Sequence, residues 1–278
     1  MYINCKGHLI DLDRPKIMGI LNLTPDSFYD GGKYKSDSEI LGQVEKMLNE
    51  GATFIDIGAY SSRPGAVHIS QDEELARLLP VVKLVIQEFP DALISIDTFR
   101  SYVASEAINS GACMINDISG GSLDEEMFSV IAKLQVPYIL MHMVGTPQNM
   151  QQNVHYDNLV KDIIFYFSQK VFELRKLGVN DIILDPGFGF SKTMDQNFEL
   201  LQKLELFSGM DLPVLVGLSR KSMLYKLFDH DATNALNATT SANTIALMKG
   251  AGIIRVHDVR EAMETVTIFE KMMNRPSL

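Results

Sequence analysis

Eight short runs rich in Ile, Val, Leu and Met recur along the chain, each turning polar only in its last residues: 17–23, 54–60, 93–98, 114–119, 138–143, 181–188, 213–219 and 253–258. Near-continuous apolarity marks strands buried on both faces, as in a parallel sheet. Between them lie stripes with helical spacing. Segment 38–50 carries Ile40, Leu41, Val44 and Leu48, segment 72–89 carries Leu75, Leu78, Val82 and Val85, and segment 157–177 carries Leu159, Ile163, Phe167, Val171 and Leu174. Apolar residues every three or four positions give one buried helix face. The strand starts fall roughly 20 to 45 residues apart, the spacing of repeated strand–helix units. Eight such units predict an α/β fold, a closed (β/α)8 TIM barrel. An open doubly wound sheet is the alternative. The first run lacks the GxGxxG turn of that fold, and no Walker A sequence occurs.

Gly51, Gly111, Gly178 and Gly250 fit left-handed caps at helix ends. No linker rich in Pro, Ser or Gly divides the 278 residues, so 1–278 reads as one barrel domain, with 1–16 as a short N-terminal β-hairpin closing the barrel bottom. An apolar content of 46% allows a large core, and 22% charged residues without low-complexity tracts exclude disorder and a coiled coil. The formal net charge of -10 argues against a general nucleic-acid or acidic-membrane surface, so an anionic ligand would need a local cluster of cations. Two cysteines, Cys5 and Cys113, make neither a disulfide framework nor a CxxC metal spacing. Residues 1–10 show no signal-peptide pattern, and no apolar stretch approaches the roughly 20 residues of a membrane helix. A cytoplasmic location with no membrane or nucleic-acid partner is the resulting expectation.

In barrels of this kind the reactive groups sit at the C-terminal ends of the strands. Those ends carry Asn22; Ser61, Ser62, Arg63 and Pro64; Asp97; Asn116 and Asp117; His142; Asp185, with Lys192 behind it; Ser219, Lys221 and Ser222; and Arg255 and His257. For any single position, the start of a loop is explanation enough for a polar residue. Eight in succession ask for more, because a buried carboxylate needs a hydrogen-bond partner. Asp97, Asn116 and Asp185 form an acceptor-rich group that matches the donor edge of an aminopyrimidine-like ring, and Lys221 adds a donor. Arg63, Arg255 and His257 lie on runs two and eight, which flank run one in a closed barrel. With Asn22 they would surround one anion, a diphosphate for example. The competing reading pairs Arg255 and His257 with Asp258 or a neighbouring carboxylate, and the spacing does not choose between the two. Segments 24–35 and 59–67, with Pro25, Gly31, Gly32, Pro64 and Gly65, read as water-excluding lids, and Phe28 lies in the first.

The runs NLTPDSF (22–28), SSRPG (61–65), SIDT (95–98), NDISG (116–120), MHM (141–143), DPGFGF (185–190), SRKS (219–222) and RVHD (255–258) resemble, in order and over nearly the whole chain, the dihydropteroate synthase family. The resemblance implies joining 6-hydroxymethyl-7,8-dihydropterin diphosphate to 4-aminobenzoate, giving 7,8-dihydropteroate and diphosphate in folate synthesis, and a target of sulfonamides. It implies a pterin pocket of Asp97, Asn116, Asp185 and Lys221, an anion site of Asn22, Arg63, Arg255 and His257, and a Mg2+ cofactor on Asn22. Asp97, Asp185, Lys221 and Arg63 are the implied catalytic groups. The aminobenzoate pocket would be framed by Phe28, Pro64, Phe190, Lys221 and Ser222, its carboxylate near the start of the helix after the seventh strand, and Ser62 is a further implied substrate-binding residue. Ser62 stands where many members have Thr, and Tyr60 where Glu is commoner.

Two rival readings are a pterin-binding methyltransferase, which would need a corrinoid protein, and a silent barrel serving as an assembly partner. Segment 234–249 places Ala235, Ala238, Ala242 and Ala246 at three- and four-residue steps. Such a stripe suits close helix approach in a homodimer, which the resemblance also implies, or packing on the barrel wall.

Overall fold

The computed structural model describes residues 1–23, 36–61, 68–150 and 154–273. A two-stranded antiparallel hairpin, β1 (Tyr2–Cys5) and β2 (His8–Asp11), opens the chain. Then strand and helix alternate: β3 (Lys16–Asn22), α1 (Asp37–Asn49), β4 (Phe54–Gly58), α2 (Gln71–Glu88), β5 (Leu93–Asp97), α3 (Ser101–Asn109), β6 (Met114–Asp117), α4 (Met127–Leu134), β7 (Tyr138–Met141), α5 (Leu159–Lys176), β8 (Ile182–Asp185) and α6 (Met194–Gln202). The last units are β9 (Leu215–Val216), a one-turn α7 (Ser222–Tyr225), α8 (Leu236–Met248), β10 (Ile253–Val256) and α9 (Val259–Met272). All eight barrel strands are parallel, in the order β8-β7-β6-β5-β4-β3-β10-β9. The ring closes where Leu184 bridges Val214 and Leu184 N donates to Pro213 O (2.8 Å). The expected (β/α)8 barrel with its hairpin is therefore present.

Strands end earlier than their apolar runs. Run 181–188 stops at Asp185 because Pro186 has no N–H to give the ladder, and run 213–219 is reduced to Leu215–Val216 ahead of Gly217. The four expected cap glycines all have positive φ.

Inside the barrel, side chains alternate in layers two residues apart. The lowest layer holds Met18, Phe54, Met114, Ile139, Ile183, Leu215 and Ile253, and Ile3, Cys5 and Leu12 at the hairpin pack onto it as one buried cluster. The hairpin thus floors the barrel. Two residues further up each strand the lining changes to Ile20, Asp56, Ser95, Asn116, Met141, Asp185, Gly217 and Arg255. A separate, larger apolar layer joins the strands' outer faces to the helices.

The alanine stripe faces inward. Ala235, Ala242 and Ala246 are buried within the chain, and Ala238 packs against the same core. Of the two readings of this stripe, packing on the barrel wall is the one these contacts show.

Behind β5, the fully buried Glu74 of α2 accepts from Thr98 Oγ1 (2.7 Å) and pairs with Arg100, whose Nη2 also donates to Ile69 O (2.7 Å). This pair anchors the chain just after Asp97. Glu74→Ala strands the Arg100 guanidinium in a site with little water, so we expect a loss of about 3–5 kcal/mol, read from the urea midpoint. An unmoved midpoint would show that the pair contributes nothing to stability.

Candidate active site

The register of four adjacent strands sets one polar row at the mouth: Asn22 lies beside Gly58, Gly58 beside Asp97, and Asp97 beside Asn116. Gly58 leaves room there, since a Cβ on it would stand 3.1 Å from Asp97 Cβ, tighter than most side-chain contacts. Below the row, Asp56 is fully buried. Asp56 Oδ2 accepts from Arg255 Nε (2.6 Å) and from Asn116 Nδ2 (3.0 Å), and Arg255 Nη2 donates to Asp97 Oδ2 (2.9 Å). One arginine therefore bridges two carboxylates and shares one of them with Asn116. Of the two arrangements the sequence allowed, Arg255 adopts carboxylate pairing, but with Asp56 and Asp97; Asp258 is taken by Arg220 (2.6 Å).

Burial pushes the Asp97 carboxyl up to about 7 against the opposing pull of Arg255, and the Asp56 charge adds to the rise. Burial works against the Arg255 cation, yet Asp56 and Asp97 hold its pKa above the usual value. Asp56 Oδ1, Ser95 Oγ and Asn116 Oδ1 are buried with no hydrogen-bond partner among the described residues. Unsatisfied acceptors of this kind cost free energy until a donor arrives.

Across the mouth, β8 ends in Asp185, whose Oδ1 accepts from Gly187 N (2.8 Å). Burial raises its pKa, while that hydrogen bond and the charges of Lys221, Arg255 and Lys192 oppose the rise. Gly187 has φ +74, and a Cβ there would lie 2.1 Å from His142 O, so no other residue fits this turn. Phe190 presents its ring to the Lys221 ammonium, 4.4 Å from the ring centre. His257 Nδ1 is 2.9 Å from Ser219 Oγ, which also accepts from His257 N (3.2 Å).

Asn22, Asp97, Asn116, Asp185, Phe190, Lys221, Ser222, Arg255 and His257 all line one cleft of about 980 Å3. The sequence singled out every one of them. Phe28, Ser62, Arg63 and Pro64, and nearly all of both expected lids, lie outside the described residues. The helix after the seventh strand is a single turn, Ser222–Tyr225, so the expected help from a helix N-terminus to a carboxylate has little dipole behind it. Tyr60 is well used: its hydroxyl meets His68 Nδ1 (3.1 Å) and accepts from Gln148 Nε2 (2.8 Å), and its ring packs edge-on to Phe99 at 5.0 Å.

Two groups were missed. Asp56 sits mid-strand in FIDIG rather than at a strand end; its signal is a lone charge at an inward-facing position two residues above Phe54. Lys192 stands in the sequence only as a residue behind the DPGFGF run. It is buried, with Nζ at 3.0 Å from Gly187 O, 3.0 Å from Phe190 O and 3.2 Å from His142 Nδ1.

A barrel whose mouth sets carboxylates, an amide and lysine beside an arginine and histidine suits a flat, nitrogen-rich ligand with an anionic tail. A family model described as pterin binding enzyme matches residues 18–257. The dihydropteroate synthase of Escherichia coli strain K12 is 40% identical over 277 residues, covering 99% of this chain and 97% of its own length. Yersinia pestis dihydropteroate synthase, solved in complex with a sulfonamide drug, superposes with a TM-score of 0.94 at 42% identity, over 99% of this chain and 100% of that one. The Xanthomonas albilineans enzyme in complex with 7,8-dihydropteroate gives 0.88 at 31% identity, over 99% and 100%. The chain belongs to the dihydropteroate synthase family of pterin-binding enzymes.

Proposed function

We propose that this chain joins 6-hydroxymethyl-7,8-dihydropterin diphosphate to 4-aminobenzoate, releasing diphosphate and 7,8-dihydropteroate, a step of folate synthesis. The observation that carries this reading is the convergence of Asp97, Asn116, Asp185 and Lys221 with Arg255 and His257 in one cleft. The unpartnered Asn116 Oδ1 and the buried carboxylates offer acceptors to the N–H edge of a dihydropterin. Lys221 supplies a donor to the ring, and Arg255, His257 and Asn22 face its diphosphate. Phe190 and the Lys221 stem give the arylamine a wall.

The C–O bond at the pterin methylene breaks, and its electron pair leaves with diphosphate, whose growing charge Arg255 and His257 offset. The electron-poor methylene is shared with the ring, and Asp97 stands beside it as an anion. The arylamine nitrogen then forms the C–N bond and gives up a proton, which the released diphosphate can accept. No covalent bond to the protein is required. A Mg2+, an oxygen-seeking ion that needs few protein ligands, would be held by the Asn22 side-chain oxygen at the cleft lining. When bound, it would neutralise diphosphate charge.

Ring N–H donors favour the Asp97 carboxylate over its acid. Pterin binding near pH 6–7 is therefore expected to release protons, read as a heat that varies with the buffer's ionisation enthalpy. A buffer-independent heat would remove Asp97 from the pocket.

The proposal extends to a homodimer using the outward faces of α8 and α9, where Ile245, Met248, Ile268 and Met272 are exposed. Its location is taken to be the cytoplasm; among the described residues no helix is long and apolar enough to cross a membrane. The test of function is one incubation of the protein with dihydropterin diphosphate, 4-aminobenzoate and Mg2+. Dihydropteroate and diphosphate should form in equal amounts. Absence of both rejects the reading, and a need for a corrinoid protein would favour methyl transfer instead.

A further inference from the structure

We infer that Lys192 is a positioning residue for this reaction: its ammonium donates to Gly187 O, Phe190 O and His142 Nδ1, and so holds loop 187–190 in the shape that sets Asp185 and the Phe190 ring at the cleft wall. The inference rests on the condensation reading above and deepens it.

A cation buried to this degree is costly, and an apolar side chain would fill the same space. What an apolar side chain cannot do is hold two carbonyls and an imidazole at once. The ammonium has three N–H groups, and three acceptors lie within 3.2 Å. The loop needs such a clamp. Gly187, Gly189 and Ser191 all have positive φ, and Ser191 is not glycine. From outside, Asn197 Oδ1 accepts from Gly189 N (2.7 Å); from inside, Lys192 takes the carbonyls on either side. The loop in turn lies against the Lys221 stem, since a Cβ on Gly189 would come within 3.1 Å of Lys221 Cδ. Lys192 thus acts on the cleft through Gly187, Gly189 and Phe190.

The cluster also carries a readable state. Burial lowers the Lys192 pKa to about 7, the Lys221 charge adds to the fall, and Asp185 opposes it. Burial, with the Lys192 charge, holds His142 neutral. The tyrosines against the His142 ring, Tyr156 and Tyr166, are themselves held uncharged, chiefly by burial. With Lys192 charged, His142 Nδ1 must be an acceptor and the ring carries its proton on Nε2. With Lys192 neutral, the amine keeps two N–H groups for the carbonyls and turns its lone pair to His142. The ring then bonds only as the Nδ1–H tautomer.

The test has two arms. Imidazole 15N NMR of the substrate-free protein from pH 5.5 to 9 should show His142 Nδ1 passing from unprotonated to protonated near pH 7, and the change should vanish in Lys192→Met. A His142 ring that carries its proton on Nδ1 throughout the range, or the same behaviour in the variant, overturns the assignment without any use of activity. In kinetics, Lys192→Met should lower kcat/KM roughly 100-fold, as a misplaced site wall does. Lys192→Arg, which keeps charge and donors, should recover part of the rate with a flatter pH profile between 6 and 8. A Met variant with wild-type kcat/KM and pH profile overturns the inference. An inactive wild-type protein would condemn the condensation reading alone, because the NMR arm needs no turnover.

Discussion

Asp185→Asn is expected to fold normally and to lose at least roughly 1,000-fold in kcat/KM, about 4 kcal/mol of transition-state stabilisation. The amide oxygen can still accept from Gly187 N, as Asp185 Oδ1 does at 2.8 Å, so the turn before Phe190 survives. The other oxygen becomes an NH2 group that points donors at a ligand edge made of donors. A site built to receive hydrogen bonds discriminates steeply when one partner is reversed. Stability should not fall at pH 7. Burial already raises the carboxyl's pKa, so its ionised form is a cost to the native state that the neutral amide removes. Steady-state rates and a thermal melt check both halves. Near-native turnover would take Asp185 out of the pterin pocket, and Lys221→Ala should show the same loss with the same intact fold.

Arg255→Met is expected to cost both activity and about 3–5 kcal/mol of stability. The guanidinium bridges Asp56 and Asp97 at 2.6 and 2.9 Å, and without it the fully buried Asp56 carboxylate keeps, among the described residues, only Asn116. The pH dependence has a definite sign. Asp97 already has a folded pKa of about 7, and losing the cation raises it further. Below pH about 4 both folded and unfolded chains hold their carboxyl protons and the deficit is small. It grows as pH rises through the folded value. Urea midpoints at pH 5 and pH 8 should therefore show the larger gap at pH 8. Adding Asp56→Asn to Arg255→Met should restore part of the loss, because the stranded charge goes with the arginine. A gap that is equal at the two pH values, or a double variant weaker than the sum of the singles, would contradict the carboxylate bridge.

Much of this was written at the strand ends. Asp97, Asn116, Asp185, Arg255 and His257 stand where apolar runs turn polar, and a parallel barrel brings all such ends to one mouth. What periodicity could not give is pairing across the barrel. Arg255 and Asp56 are far apart in sequence, and the register that lets one guanidinium span Asp56 and Asp97 is set by strand stagger. Asp56 escaped notice because runs buried on both faces hide which residues face inward. The alternation becomes legible only once the floor residue Phe54 is known to point into the barrel. Lys192 escaped because its partners are backbone carbonyls, and a carbonyl has no letter in a sequence. The alanine stripe left two readings open for a related reason: small residues suit any close approach, and here the barrel wall takes them.

The hairpin seated under the barrel makes the interior a well with a sealed base. Traffic through such a vessel is ordered by depth. A molecule that settled on the Asp56 tier through the mouth would have to arrive before one stacked above it, and a bulky product made from both would have to back out the way its parts came in. Queueing of this sort needs no signal between binding events, only a plug of Ile3, Cys5 and Leu12 at the far end.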